Sequence, residues 1–481
     1  MRDKYLIGID SGSQSTKVFI FNQYGEIVNT ASEPLKPMMS RKPGYVEHPE
    51  DDLWDSLKIV LKKLMNAFEG DVSDIMGLGL CSIRCCRVFM KEDGTLAAPV
   101  MSWMDVRAYE KYEDSEEIHY TCPTSGYLTH RLTGAFKDTA ANAYQYQFPV
   151  DMDSWQWSDN NAHFDSFKIP KHKLVDIQMP GTVLGYITEK ASEETGLPVG
   201  LPVVATANDK AVEALGSGLI EPGVGLVSLG TYITSMVSGL KNEPDTANFF
   251  TNLSCIPNQY LYESGGIRRG MWLISWYKGI IGDEYAAKAK EMGLSVEDYL
   301  ATEAALVPAG SDGLLTIPDW LAPATQLYRK GVMLGFDERH TRGHIYRSLL
   351  EGIAMTLQNC YDAMNNELGI KPDKIIVSGG GSNSDLYMQI FADMYGVKTI
   401  RNQVNGAAAL GSAICAAVAT GLYDSFDSAV QAMVKSKDEF TPNWENHKIY
   451  NQINNGAYKQ LPALIENTLK NVYEGINVKA E

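Results

Sequence analysis

The first apolar run, YLIGIDS from Tyr5, ends on a single aspartate, Asp10, and gives way to a small polar turn. Apolar and aromatic residues with β preference return from Lys17 to Phe21, and Asn22 to Gly25 reads as a second turn, so the chain opens with a hairpin. A strand, not a helix, follows the first turn, which excludes the dinucleotide-binding and P-loop patterns. Further on, the periodicity predicts a helix around Pro49 to Phe68, an apolar strand over Met76 to Leu80 and a strand over PVMSW, residues 99–103. Tyr127 to Leu132 and Val183 to Ile187 show a mixed pattern. Gly200 to Ala205 reads as a buried strand, and Lys210 to Leu215 begins a helix. From Val224, VGLVSLGTYITSMVSG is again strand, glycine-containing turn, strand, an echo of the opening hairpin visible at this one element. Lys374 to Val377 is an apolar strand, and helices are expected over Arg347 to Leu368, Ser384 to Tyr395, Ala407 to Thr420 and Tyr450 to Tyr473. Two halves that each open with such a hairpin suggest an α/β protein of two domains, residues 1–220 and 221–481, facing a shared cleft.

Length and composition agree: 481 residues make roughly two large domains or three ordinary ones. A formal net charge of −17 argues against nucleic acid and anionic membrane as main partners, since both need a basic footprint. Seven cysteines, an odd number with no C-x-x-C pair, suggest neither a disulfide framework nor a zinc site. The opening MRDKYLIGID has no secretory apolar region, and the Ala/Gly-rich run Ala407 to Ala419 is too short to cross a bilayer, so a cytoplasmic protein is expected.

Candidate chemistry concentrates in a few turns. In the first hairpin, Gly12, Ser13 and Ser15 offer backbone N–H groups and hydroxyls that suit phosphate oxygens. Asp10 at the strand end suits Mg²⁺ held partly through water, and Lys17 adds charge. Read structurally, the same segment is a Ser/Gly hairpin with a turn-capping aspartate. Gly230 and Thr231 make a second small-residue turn, for which a plain hairpin is the alternative. Gly379, Gly380 and Gly381 join a strand to a helix, where backbone can approach a flat ligand, with Asn383 placed to bond a base. Asp209 follows a buried strand and starts a helix. It reads either as an N-cap or as a general base at the carboxyl end of the strand, the usual crevice position. His340 and His344 lack the glutamate of a metalloprotease helix, and Trp155 and Trp157 read as packing.

Taken in order, these segments resemble the FGGY carbohydrate kinases, members of the actin/hexokinase-type (ribonuclease H-like) ATPase fold. GIDSGSQSTK resembles the family's first phosphate motif with Ser13 in place of threonine, and SLGTYITSM resembles the second. GGGSNSDLYMQIFADMYG with NGAAALGSAICA resembles the adenosine region, and Gly331 to Glu351 follows the second family signature. The resemblance implies ATP-dependent phosphorylation of a small sugar, a pentulose such as xylulose first, with ribulose, fuculose, glycerol, erythritol or an autoinducer-like sugar behind it. It implies Asp209 as catalytic base, Asp10 facing metal and phosphate, and Arg84, Cys85, Trp103, Asp105 and Asp209 around the sugar. It also suggests a homodimer. Three departures stand out. Thr206 replaces a glycine, Asn405-Gly406 replaces an acidic residue and alanine, and the short stretch Ala108 to Thr124 lacks the first family signature with its K-x-W. That gap keeps a non-catalytic sugar- or ATP-binding regulator open as a second reading. An actin-like assembly protein is a third, which needs neither Asp209 nor the Gly331–Glu351 signature.

Overall fold

A computed structural model describes residues 2–143, 145–230, 232–323 and 326–477. Two mixed sheets organise the chain. The first has six strands in the order Val183–Tyr186, Pro202–Val204, Ile75–Ser82, Tyr5–Ser11, Ser15–Asn22, Ile27–Pro34. The second has seven, in the order Phe249–Leu253, Tyr260–Ser264, Ile233–Gly239, Val224–Leu229, Lys374–Ser378, Lys398–Asn402, Ser436–Phe440. Their central strands are apolar on both faces: Leu6, Ile7 and Ile9 are fully buried, as are Leu226 and Val227.

The echo between the two hairpins extends through the sheets. Tyr5–Ser11 pairs antiparallel with its hairpin partner, then parallel with Ile75–Ser82, which pairs parallel with Pro202–Val204, and an antiparallel strand closes the edge. Val224–Leu229 repeats the series with Ile233–Gly239, Lys374–Ser378, Lys398–Asn402 and the antiparallel edge strand Ser436–Phe440. The repeat is therefore one of topology, with little sequence left to show it.

The Ala407–Ala419 helix connects the two halves. It comes late in the chain yet lies on the first sheet, against the Tyr5–Ser11 and Ile75–Ser82 strands and the Asp209–Gly216 helix. Its small residues make this contact close. A Cβ on Gly8 would stand 2.0 Å from the carbonyl oxygen of Ala409, and one on Gly79 would stand 1.9 Å from that of Ser412. The Ala/Gly-rich run is thus a packing surface. Among the described residues no helix is long and apolar enough to cross a membrane.

Several expected elements change. The 99–103 stretch is not a strand: Met101 makes isolated bridges to Glu47 and Arg87, and the backbone bond from Asp105 N to Ser102 O turns the chain away at once. Tyr127 to Leu132 belongs to the Thr124–Thr133 helix, closed by Gly134 in the left-handed region. The expected Tyr450–Tyr473 helix is broken into Trp444–Gly456 and Leu461–Asn477 by Ala457 at φ −140° and ψ −59°, with Pro462 unable to continue a preceding helix. The Gly331–Glu351 signature leads into the Arg342–Leu368 helix, whose first turn Thr341 and His344 cap reciprocally.

Candidate active site

Asp209 is the first residue of the Asp209–Gly216 helix, and its neighbour does the capping. Asn208 Oδ1 accepts from Lys210 N and Ala211 N at 3.1 and 3.2 Å. Asp209 Oδ1 takes a bond from Lys210 N at 3.0 Å, but the carboxyl stays 37% exposed and stands 3.3 Å from Arg84 Nε. Burial raises the Asp209 carboxyl above the ordinary aspartate value, against the opposing pull of Arg84 and Lys210. Thr206 has a local job: its hydroxyl donates to the Leu80 carbonyl at 2.6 Å and ties two parallel strands together at their ends.

Arg84 reaches across to the second sheet. Its Nη1 and Nη2 each lie 2.8 Å from an oxygen of Glu263, a two-point pairing that suits the planar guanidinium. Glu263 is fully buried and also accepts from Asn252 Nδ2 at 3.0 Å. Arg84, Asn208, Asn252, Thr251, Asn142 and Gln145 line a narrow cavity, together with Met152, Leu253 and alanines. Asn142 is held by Asp138 at 2.8 Å, and burial pushes Asp138 up to about 6.

The other residues expected around the sugar fare differently. Cys85 follows Arg84 with φ +62°, an uncommon conformation for a side-chain-bearing residue, and its carbonyl accepts from Gln147 Nε2 at 2.8 Å. Its thiol is pushed up to about 12 by burial, which makes it a poor nucleophile. Trp103 is half-buried against the apolar residues packed on the first sheet, outside the lining of this cavity. Asp105, expected near the sugar, is engaged within the protein. It is fully buried, and its carboxylate accepts from Val46 N at 2.8 Å and from Arg107 N, Nε and Nη2 at 2.9, 3.0 and 2.6 Å. It caps a turn and anchors a loop.

On the phosphate side, Gly12 N bonds Ser15 O at 3.1 Å and closes the first turn, leaving Ser13 and Ser15 partly exposed. Ser11 Oγ is buried with no partner among the described residues. Lys17 sits opposite Asp10 in the strand register, so both side chains emerge on one face. Burial lifts Asp10 to about 6; Lys17 opposes this, and Asp209 and Glu213 add to it. In the second hairpin Gly230 faces Lys210, whose Nζ lies 3.9 Å from the place of its absent Cβ. Thr231 lies outside the described residues.

Gly379 has φ +87°, and a Cβ there would stand 2.6 Å from the Leu229 carbonyl oxygen, so only glycine fits. The Cβ position of Gly380 is open, whereas that of Gly381 would meet Leu229 Cδ1 at 2.7 Å. Gly379 and Asn383 help line a second cavity with Ser378, Asn402 and Asn405. Asn405, one of the departures, donates to Asn383 Oδ1 at 3.3 Å.

Glu263, Asn252, Asn142, Lys210 and Glu213 escaped the sequence reading. The only local signals are a lone acid in the apolar strand Tyr260–Ser264 and a charged pair in the helix after Asp209.

The fold and these motifs match known proteins along the chain. The model for the FGGY family of carbohydrate kinases, N-terminal domain, matches residues 5–120 and 109–216, and the one for its C-terminal domain matches residues 225–420. The uncharacterised sugar kinase YgcE of Escherichia coli K12 is 48% identical, over 98% of this chain and 96% of its own length. An autoinducer-2 kinase of Photorhabdus laumondii is 26% identical over 93% of this chain and 92% of its own. The xylulose kinase of Rhodospirillum rubrum superposes with a TM-score of 0.80 at 25% identity, covering 97% of this chain and 100% of that one. The two-sheet architecture is the actin/hexokinase-type fold these kinases share. With family models matching both parts of the chain and a sugar kinase 48% identical along almost its whole length, the chain belongs to the FGGY family of carbohydrate kinases and is an ATP-dependent sugar kinase.

Proposed function

We propose that the chain phosphorylates a small neutral sugar, a pentulose such as xylulose first, with Asp209 as general base and Mg-ATP as donor. The observation that carries this is the position of Asp209. On one side it meets Arg84, which with the neighbouring Asn208 lines the amide-rich cavity; on the other its charge is coupled to Asp10 and to the Lys210–Glu213 pair. A neutral substrate follows from Arg84 being matched already by Glu263, which leaves four side-chain amides and Thr251 to hold the ligand.

The donor fits the residues present. The Gly12 turn, the orphaned Ser11 hydroxyl and the forced glycine at 379 make cradles a side chain would fill. Among the described residues no three His, Cys, Asp or Glu converge on a closed metal site, but magnesium bound mainly by phosphate and water needs a single carboxylate, and Asp10 suits it. Magnesium with ATP supplies an electrophilic phosphorus and neutralises charge as the bond to it is made. Asp209 accepts the proton of the attacking sugar hydroxyl and orients it, a role in which position matters more than basicity. Arg84 fixes the Asp209 carboxylate and one edge of the sugar. The division at residue 220, a homodimer and Cys85 and Trp103 beside the sugar are part of the same proposal, on the family resemblance.

A non-catalytic regulator is disfavoured by the presence of both Asp10 and Asp209, and favoured only by the short Ala108–Thr124 segment. The buried Arg87 donates to the Glu110 carbonyl in that segment at 2.9 Å and to the Arg107 and Gln147 carbonyls outside it at 3.4 and 2.9 Å. The test is ADP release from Mg-ATP across ketoses, aldoses and polyols, beside Asp209→Asn. A sugar-dependent rate that falls roughly 10²- to 10⁴-fold in the variant, with ATP binding retained, is expected. ATP binding with no sugar-stimulated turnover would instead establish the regulator.

A further inference from the structure

The Asp209–Gly216 helix carries a charged pair that the mechanism above leaves unused. Lys210 and Glu213 are one turn apart, with side chains only 9% and 14% exposed. Lys210 Nζ lies 3.0 Å from Glu213 Oε2, 2.5 Å from Ser228 Oγ and 3.4 Å from the Tyr232 carbonyl oxygen. Ser228 Oγ donates in turn to Glu213 Oε2 at 2.8 Å. Glu213 is also bonded by Ser378, the residue paired with Ser228 across the two parallel strands. The cluster therefore crosses from one half of the molecule to the carboxyl ends of strands in the other, where open α/β sheets bind their ligands.

Packing does not require a charge here. A buried pair pays a desolvation cost that apolar residues of similar size avoid. Two of the three ammonium N–H groups are held closely, by Glu213 at 3.0 Å and by Ser228 at 2.5 Å. The third is directed to Tyr232 at 3.4 Å, beyond the normal range for such a bond. That N–H lies beside the second hairpin turn, where Gly230 has no side chain to cover it. The ammonium charge also acts on Asp10 in the first hairpin and on Asp209. One cation thus stands among the base, the first phosphate turn and the second.

We propose that Lys210 is a ligand for the terminal phosphates of the nucleotide: its weakly held N–H leaves the Tyr232 carbonyl for a β- or γ-phosphate oxygen, while Glu213 and Ser228 keep the ammonium aimed. Glu213 is then a positioning residue. This inference rests on the kinase reading and adds to it a specific donor on the sugar-binding half.

The test is calorimetric titration of the full-length chain with ATP, ADP, AMP and adenosine, on wild type, Lys210→Met and the double variant Lys210→Met/Glu213→Gln. The double variant removes both charges together and covers the case in which Lys210→Met alone, with Glu213 left unpaired, fails to fold. The expected result is a roughly ten- to hundredfold loss of ATP affinity, shared by ADP if the β-phosphate is the partner. AMP and adenosine should bind within twofold of wild type, and unliganded melting of the double variant should stay close to it. Equal weakening of all four ligands would overturn the proposal in favour of a structural tie, and unchanged ATP affinity in the double variant would overturn it directly. Sugar-dependent ADP release by wild type, measured alongside, keeps the two claims apart. If wild type turns over, only Lys210 is at stake; if wild type binds no ATP, both readings fall.

Discussion

Arg84 serves two carboxylates at once, and this sets the pH behaviour expected of the site. It is bound at two points by Glu263 while its Nε faces Asp209, whose carboxyl burial raises and Arg84 lowers. A general base must be ionised, so kcat/KM should fall with unit slope as pH drops through the Asp209 value. Arg84→Gln removes the main group holding that value down and leaves the Glu263 charge uncompensated beside it; both changes raise it. The acid limb of log kcat/KM should therefore move to higher pH in Arg84→Gln, and an unmoved limb would mean that another group titrates. A second residue-scale prediction concerns the family signature. Its last residue, Glu351, accepts from Arg347 Nε at 2.7 Å, Tyr450 Oη and Ser311 Oγ at 2.8 Å and Gly310 N at 3.1 Å. This is a buried brace, made by residues that line neither cavity described above. Removing one partner strands the Arg347 charge, so Glu351→Ala should cost about 3–5 kcal/mol, seen as a lower denaturant midpoint with the KM values little changed.

Among elements, the Ala407–Ala419 helix shows how composition becomes contact. With Gly79 as it is, the helix backbone rests on the strand; a Cβ there would lie 1.9 Å from the Ser412 carbonyl oxygen, and backbone cannot swing aside as a side chain can. Gly79→Ala should destabilise by about 1–3 kcal/mol. Gly279→Ala is the matched control. It lies within the Trp272–Ile281 helix with no neighbour near its Cβ position, and alanine should stabilise by up to about 1 kcal/mol. Urea denaturation of the two variants checks both signs.

At the scale of the whole molecule, the chain's order and its packing differ. The first sheet is built from residues before 205, yet the helix covering it comes after residue 406. Residues 1–220 expressed alone would leave that sheet face bare. The expected outcome is an insoluble or molten fragment that becomes soluble on co-expression with residues 221–481; a cooperatively folding, soluble 1–220 fragment would show that the helix is dispensable. Bridges at two levels of the cleft, Arg84 to Glu263 and Lys210 to Ser228, join the halves in the same manner.

Local chemistry made part of this readable in the linear chain. Alternating apolar residues and a tight turn specify a hairpin wherever it sits, and a strand running into three glycines needs room for backbone whatever lies opposite, so both hairpins, the Gly379 turn and the position of Asp209 were legible. The repeat was visible only at its hairpin because hydrogen-bonded topology can persist where side chains have diverged. The long-range partners carried no such mark. Arg84 and Glu263 are 179 residues apart, and Asn142 and Asn252 become walls of one cavity only when the two sheets meet. Nor did the motif around Asp105 show that its carboxylate is held by the Val46 backbone, 59 residues away, as well as by Arg107. Periodicity and turn chemistry act over a few residues and settle the elements. Which charges meet, which are neutralised and which are left facing a ligand depends on how those elements stack, and that is a property of the folded molecule.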